Sequence, residues 1–168
     1  IMEITVDILK VIAPGSKKTN YRILPDLAHW MNYWFPKYDI NQKGEYCHFL
    51  SQAAHETDSF NTLEEYASGK AYEGRKDLGN VSAGDGVKFK GRGIFQSTGR
   101  SNAKSLTISW NNIPTEENIN FEEHPELLEL PEYGVWSACQ YWADRAFNDV
   151  ANMPDEALLS RIQARFVS

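Results

Sequence analysis

The sequence lacks a membrane span, a disulfide framework and a basic surface. No stretch approaches the roughly 18 apolar residues that a helix needs to cross a bilayer, so membrane insertion is not expected. Cysteine occurs twice, as Cys47 and Cys139, too few and too far apart for a stapled scaffold. Each sits inside an apolar helical pattern and is expected as a buried free thiol. Basic residues are in the minority, 17 Lys and Arg against 23 Asp and Glu, and the net charge of −6 excludes the usual electrostatic footprint of a nucleic-acid binder. It does not exclude an anionic polymer, because a cleft can differ in sign from the whole surface. Ile1 to Lys10 carry no basic segment followed by an apolar one, so no Sec-type signal peptide is expected, and a start at Ile1 suggests an authentic N-terminus upstream. Internal repeats, low-complexity tracts and linkers are also missing.

Several catalytic signatures are absent as well. His55-Glu56 begins like a zinc-protease helix motif, but the second His would fall at position 59, where Ser59 stands. His29, His48 and His124 show no ligand spacing, and no metal is expected. Gly91-Arg92-Gly93 lacks both the third glycine of a dinucleotide fingerprint and the Gly-Lys-Ser/Thr ending of a phosphate loop. No Gly-x-Ser-x-Gly nucleophile elbow is found.

What remains is a chain of 168 residues, 42% hydrophobic and 24% charged, long enough for one compact domain over residues 1–168. Thr5 is placed to cap a helix through Ile12, ended by Pro14-Gly15. Leu24, Leu27, Ala28, Met31 and Phe35 recur at helical spacing up to Pro36. Asn41 is placed to cap a third helix with Tyr46, Leu50, Ala53, Ala54 and Thr57 on its inner stripe. From Asp58 to Thr98 glycine is dense and no long helical period survives, so short strands are expected near 62–66 and 89–95. Helices resume with Ser101–Trp110, then with a stripe of Val135, Trp136, Cys139, Trp142, Ala143 and Ala146 after Pro131. A last helix is expected around Leu158, Leu159, Ile162 and Phe166, with Pro154 near its first turn. The fold class is mainly α, with a small β or irregular insert between helical parts, a natural position for a cleft.

Carboxylates are the best chemical lead. Glu56 falls at the end of the third helix, and Glu64 and Glu65 follow inside the insert. A carboxylic acid on a helix wall facing a carboxylate on a strand is what glycoside hydrolysis requires: one protonates the leaving oxygen, and the other works on the opposite face of the sugar. Spacing alone does not separate this from solvated surface carboxylates. Five Trp, eight Tyr and eight Phe would suit a saccharide cleft, although Trp30, Trp34, Trp136 and Trp142 lie in helical segments and read as core.

Three segments together resemble one family. Phe49 to Thr57, ending in His55-Glu56-Thr57, resembles the first signature of the family 19 glycoside hydrolases. Ala71 to Asn80 resembles the form found in phage and prophage endolysins of that family. Gly84 to Asn102, containing Gly91-Arg92-Gly93, resembles the second signature. The close match covers about residues 45–103. The resemblance implies a lysozyme-like, two-lobed helical fold whose insert forms the cleft, and an inverting two-carboxylate mechanism.

In that likeness Glu56 takes the general-acid position, and His55 beside it is expected to bind the substrate. The family's general base sits on a short strand, nine residues on in compact members, which selects Glu65 and leaves Glu64 as the fallback at the sugar's edge. Strand alternation supports choosing only one of the two. Thr98 matches the hydroxyl that helps the base to hold the attacking water. Gln96 and Asn102 match side chains that bond the sugar, and Phe89 matches a cleft aromatic. Arg92 is expected to brace its loop by charge-assisted hydrogen bonds, with Gly91 and Gly93 permitting the tight path. An inverting site would hold its carboxyls roughly 6.5–9.5 Å apart to admit water.

Departures from the pattern are Ser97 for an apolar residue and Ala103 for a common Tyr. The chain also stops at Ser168, without the family's Asn-Gly-rich closing segment, which implies a shortened or diverged chain. The implied activity is that of an endolysin-type muramidase acting on peptidoglycan. Chitin hydrolysis and non-catalytic saccharide binding are the alternatives. No cofactor is implied. The chain is expected to act as a monomer, made in the cytoplasm and working on the cell wall from the periplasmic side.

Overall fold

The computed structural model describes residues 2–152. Seven α-helices make up the regular structure of this part: α1 Val6–Ile12, α2 Ile23–Lys37, α3 Lys43–Glu56, α4 Asp85–Lys88, α5 Arg100–Asn111, α6 Pro131–Asp144 and α7 Phe147–Ala151. The helix expected around Leu158 to Phe166 lies outside the described residues.

Local chemistry sets most helix ends. The Thr5 side chain accepts a hydrogen bond from the Ile8 amide at 3.2 Å, a standard N-cap. α2 runs one residue past Pro36, because a proline in the last turn forfeits one backbone bond without preventing the turn. α3 is capped by Gln42 and not by Asn41. Glu45 reaches back to the amides of Asn41 and Gln42, both at 2.8 Å, and completes a capping box. Pro131 opens α6 at its first position, where the missing amide hydrogen costs nothing. α6 ends at Asp144, and Ala146 takes a φ of 51°, so Ala143 and Ala146 are exposed and do not continue the inner stripe.

The core is built on aromatic rings. α2 and α6 form the most extensive helix pair, and Trp34, Trp110 and Trp136 meet edge to face with ring centroids 5.0–5.7 Å apart. A second cluster joins Phe49, Trp142 and Phe147 at 4.8–5.2 Å. Such edge contacts add to the burial of large apolar surfaces. Three buried indoles keep their donors paired, Trp136 Nε1 with the Tyr38 hydroxyl at 2.7 Å, Trp142 Nε1 with Asn148 at 2.7 Å and Trp110 Nε1 with the Glu117 carbonyl at 2.8 Å, whereas Trp34 Nε1 is buried without a partner among the described residues. Cys139 is buried in this core, and burial pushes its thiol well above the ordinary value. Cys47 is exposed, contrary to expectation, because it falls on the outer face of α3.

The insert contains two isolated antiparallel bridges, Glu64 to Arg92 and Arg92 to Ser97, in place of the two expected strands. Single 3-10 turns at Lys70–Tyr72 and Lys76–Leu78 and the four-residue α4 supply the rest. Glycine density explains this, since backbone with few side chains to pack gains little from an extended ladder.

Candidate functional site

α3 ends directly after Glu56. The buried Thr57 hydroxyl donates to the Ala53 carbonyl at 2.6 Å and accepts from the Phe60 amide at 2.8 Å. Asp58, Ser59 and Phe60 then take φ values of 49°, 60° and 60°, three consecutive left-handed residues that turn the chain back. Such conformations cost energy in non-glycine residues and persist where surrounding contacts hold them. The turn delivers Leu63–Glu65 against Gly91–Gly93: the Gly93 amide donates to the Leu63 carbonyl and the Glu65 amide to the Gly91 carbonyl, both at 2.8 Å.

This pairing sends the neighbouring glutamates to different partners, as alternation requires. Glu64 pairs with Lys90 at 2.6 Å. Glu65 Oε2 accepts from the Gly91 amide at 3.0 Å, and its Oε1 accepts from the Tyr72 hydroxyl at 2.8 Å. The phenol of Tyr72 is held above its ordinary value, first by that bond to Glu65 and then by burial and the carboxylate charge. A Cβ on Gly91 would meet Gln96 Oε1 at 2.9 Å and Glu65 Oε2 at 3.2 Å, so glycine is what lets these two side chains converge here. Gly93 has a φ of 82°, a left-handed conformation suited to glycine.

Arg92 is largely buried and ties the segment down. Its Nε donates to Glu129 at 2.8 Å and its Nη1 to the Lys88 carbonyl at 2.6 Å. Beyond it, the Thr98 hydroxyl donates to the Gln96 carbonyl at 2.8 Å, and Asn102 Nδ2 donates to the Thr98 carbonyl at 2.6 Å. Gln96, Thr98 and Asn102 together line a cavity of about 190 Å³ between the start of α5 and the far end of α6. The opposite wall carries Gln140, Tyr141 and Asp144, with Gln140 donating to Asp144 at 2.8 Å. Burial pushes the Tyr141 phenol up, with Arg145 lowering it and Glu56 raising it slightly.

The structure therefore brings Glu65, Gly91 and Gln96 into one cluster, and it puts Gln96, Thr98 and Asn102 along one cavity wall. Neither Glu56 nor Glu65 lines that cavity itself. His55 is exposed on the last turn of α3. Phe89 departs from expectation: it is 2% exposed, with Lys88 and Arg100 over its ring at 5.1 and 4.8 Å, so it belongs to the core and offers no face to a sugar. Its place is fixed by Arg100, which also binds the buried Asp85 at 2.7 Å. Ser97 is half-buried at the cavity edge, and Ala103 is buried beneath it.

Sequence reasoning missed Tyr72 and the α6 wall. Tyr72 lies in a segment singled out by resemblance, but nothing in the sequence says which of its side chains turns toward Glu65. Gln140 and Asp144 are polar residues four apart at the end of α6, which is a usable signal for one solvent-facing stripe. Among the described residues, no group of three His, Cys, Asp or Glu could hold a metal ion.

No known family model matches the chain. Its fold resembles those of solved chitinases. A bacterial family 19 chitinase matches with a TM-score of 0.60 and 14% identity, over 98% of this chain and 90% of that one. Chitinase C from Streptomyces griseus matches with a TM-score of 0.57 and 17% identity, over 83% of this chain and 65% of that one. A mutant of chitinase C gives 0.55 and 16%, over 83% of this chain and 53% of that one. The chain thus spans about half to two thirds of the chitinase C structures. At these identities the likeness is one of fold, the lysozyme-like, mainly helical fold of family 19.

Proposed function

We propose that the chain is a glycoside hydrolase that cuts β-1,4 bonds of the peptidoglycan glycan strand by inverting acid–base hydrolysis. The observation that carries this reading is the Glu65 carboxylate, gripped through both oxygens beside Gln96 on the segment that follows Glu56. A base needs such fixed orientation, because a small misplacement costs much of the rate. In this reading Glu56 protonates the departing glycosidic oxygen. Glu65 takes a proton from the attacking water, and the Thr98 hydroxyl, whose hydrogen is committed to the Gln96 carbonyl, accepts the water's other hydrogen. Gln96 and Asn102 bond the sugar. The cell wall as site of action, reached from the cytoplasm, belongs to the same proposal.

A second reading is chitin, favoured by the fold likeness to proteins described as chitinases. Both polymers carry N-acetylglucosamine, and the same two carboxylates would serve either. The test is digestion of purified peptidoglycan and of chitin oligomers by the chain and by Glu56→Gln, with products read by mass spectrometry. Disaccharide fragments with reducing N-acetylmuramic ends, lost in the variant, are the expected result. Cleavage of chitin alone moves the substrate, and binding without cleavage of either polymer turns the chain into a saccharide-binding module.

A further inference from the structure

The segment Gly69–Gly86 is unusual in what it lacks. Its two 3-10 turns bury no residue, and Glu73, Arg75, Lys76 and Asp77 are exposed. It contributes little to the core, yet its backbone is tightly fixed. Asn80 is fully buried; its Nδ2 donates to the Tyr72 carbonyl at 2.9 Å, and its Oδ1 accepts from the Arg100 amide at 3.0 Å. The Glu73 carboxylate accepts from the amides of Gly84 and Gly86 at 3.0 and 3.2 Å. A Cβ on Gly86 would fall 2.6 Å from the Glu73 amide nitrogen and 2.7 Å from the Gly69 carbonyl oxygen, so the two limbs of the strap touch through bare backbone.

All this order converges on one side chain. Tyr72 is fixed by Asn80 from behind and delivers its hydroxyl to Glu65 Oε1 at 2.8 Å. We propose that Tyr72 is the positioning residue of the site, and that the strap exists to hold its hydroxyl on Glu65. The inference rests on the hydrolase reading above. With the Gly91 amide on one oxygen and the Tyr72 hydroxyl on the other, the carboxylate is held against rotation while each oxygen keeps acceptor capacity for a water. Hydrogen bonds to an ionised group are the strong kind, so one phenol suffices. Tyr72 must stay protonated to donate. Its phenol is held above the ordinary value by Glu65, with only Arg75, 5.8 Å over the ring, working the other way.

Two measurements test this. Tyr72→Phe keeps the ring and removes the hydroxyl. On whichever glycan the parent cleaves, kcat should fall about ten- to a hundredfold, with KM and Tm nearly unchanged. Asn80→Ala, which frees Tyr72 from behind, should lower kcat in the same direction. Separately, NMR of tyrosines labelled at Cζ, with Tyr72→Phe to assign the signal, follows the ionisation of Tyr72 without any turnover. Glu65→Gln should move that ionisation to lower pH. Full kcat in Tyr72→Phe, or a Tyr72 ionisation unmoved by Glu65→Gln, overturns the positioning role while the hydrolase reading stands. A parent that cleaves neither peptidoglycan nor chitin overturns the hydrolase reading and, with it, the purpose of the strap.

Discussion

The helical frame and the glycine-rich insert are held by different forces. In the frame, α2, α3 and α6 bury rings against rings, and stability scales with the apolar area withdrawn from water. In the insert, from Thr57 to Gly99, Phe60, Leu63, Phe89, Ile94 and Phe95 reach the same core, but what fixes the loops between them is directed bonds: Arg92 to Glu129, Asp85 to Arg100, Glu73 to two amides, Tyr72 to Glu65. Burial is tolerant of shape and direction, whereas a hydrogen bond is tolerant of neither. The loops that carry Glu65 are therefore oriented by the second kind of contact and anchored on the first.

The sharpest way to break this contrast is to damage each region in its own currency. Trp136→Ala empties the centre of the ring cluster and should cost about 3–5 kcal/mol, read as a large fall in the denaturant midpoint. Glu65→Gln should do the opposite: a fall in turnover of about 10²–10⁴ with the midpoint almost unmoved. A Trp136 variant that stays stable, or a Glu65 variant that unfolds, would remove the distinction.

Asp85→Asn probes the insert's own stability. Asp85 is 2% exposed and bonded to Arg100, so removing its charge should cost about 3 kcal/mol while the ring core stays intact. The hydrogen bond from Arg100 holds the Asp85 carboxyl below its usual range against the opposing effect of burial. Because the folded value is the depressed one, this stability is fully present above the unfolded carboxylate value, about pH 4. It is lost as pH falls from there through the folded value. Thermal unfolding between neutral and strongly acidic pH should show a steeper acid decline in the parent than in Asp85→Asn.

Smaller effects sharpen the comparison further. On the proposed mechanism Thr98→Ala removes one acceptor for the water and should cost roughly tenfold in kcat, about the worth of one hydrogen bond, with a small fall in Tm from the lost bond to the Gln96 carbonyl. Thr5→Ala removes a cap far from the site and should cost about 1 kcal/mol, seen in unfolding alone with activity per folded molecule unchanged.

Legibility in the sequence follows the same divide. The stripes of α2, α3 and α6 could be read from their periodicity, because a helix buries one face at fixed spacing and rings of that size have nowhere else to go. In these helices the structure differs from the pattern only locally: Gln42, not Asn41, caps α3, and α6 ends before Ala146. The insert is legible as glycine-rich and irregular, but the strands that its sequence predicts reduce to bridges. The resemblance points Phe89 to the cleft, yet it lies under Arg100, since a cation above a ring cannot be inferred from sequence spacing.

What the sequence determined by itself was the helical frame, the carboxylates at the frame's edge and the glycines that let backbone approach backbone. Each follows from local periodicity, charge and the absence of a Cβ. What only the tertiary structure decided was which groups meet: Tyr72 with Glu65, Arg92 with Glu129, and Gln96 and Thr98 across a cavity from α6. These partners are between 7 and 48 residues apart, joined by a chain whose turns at Asp58–Phe60 and Gln96 adopt left-handed conformations. Such turns are stable only because distant contacts hold them, and no local preference announces them in advance.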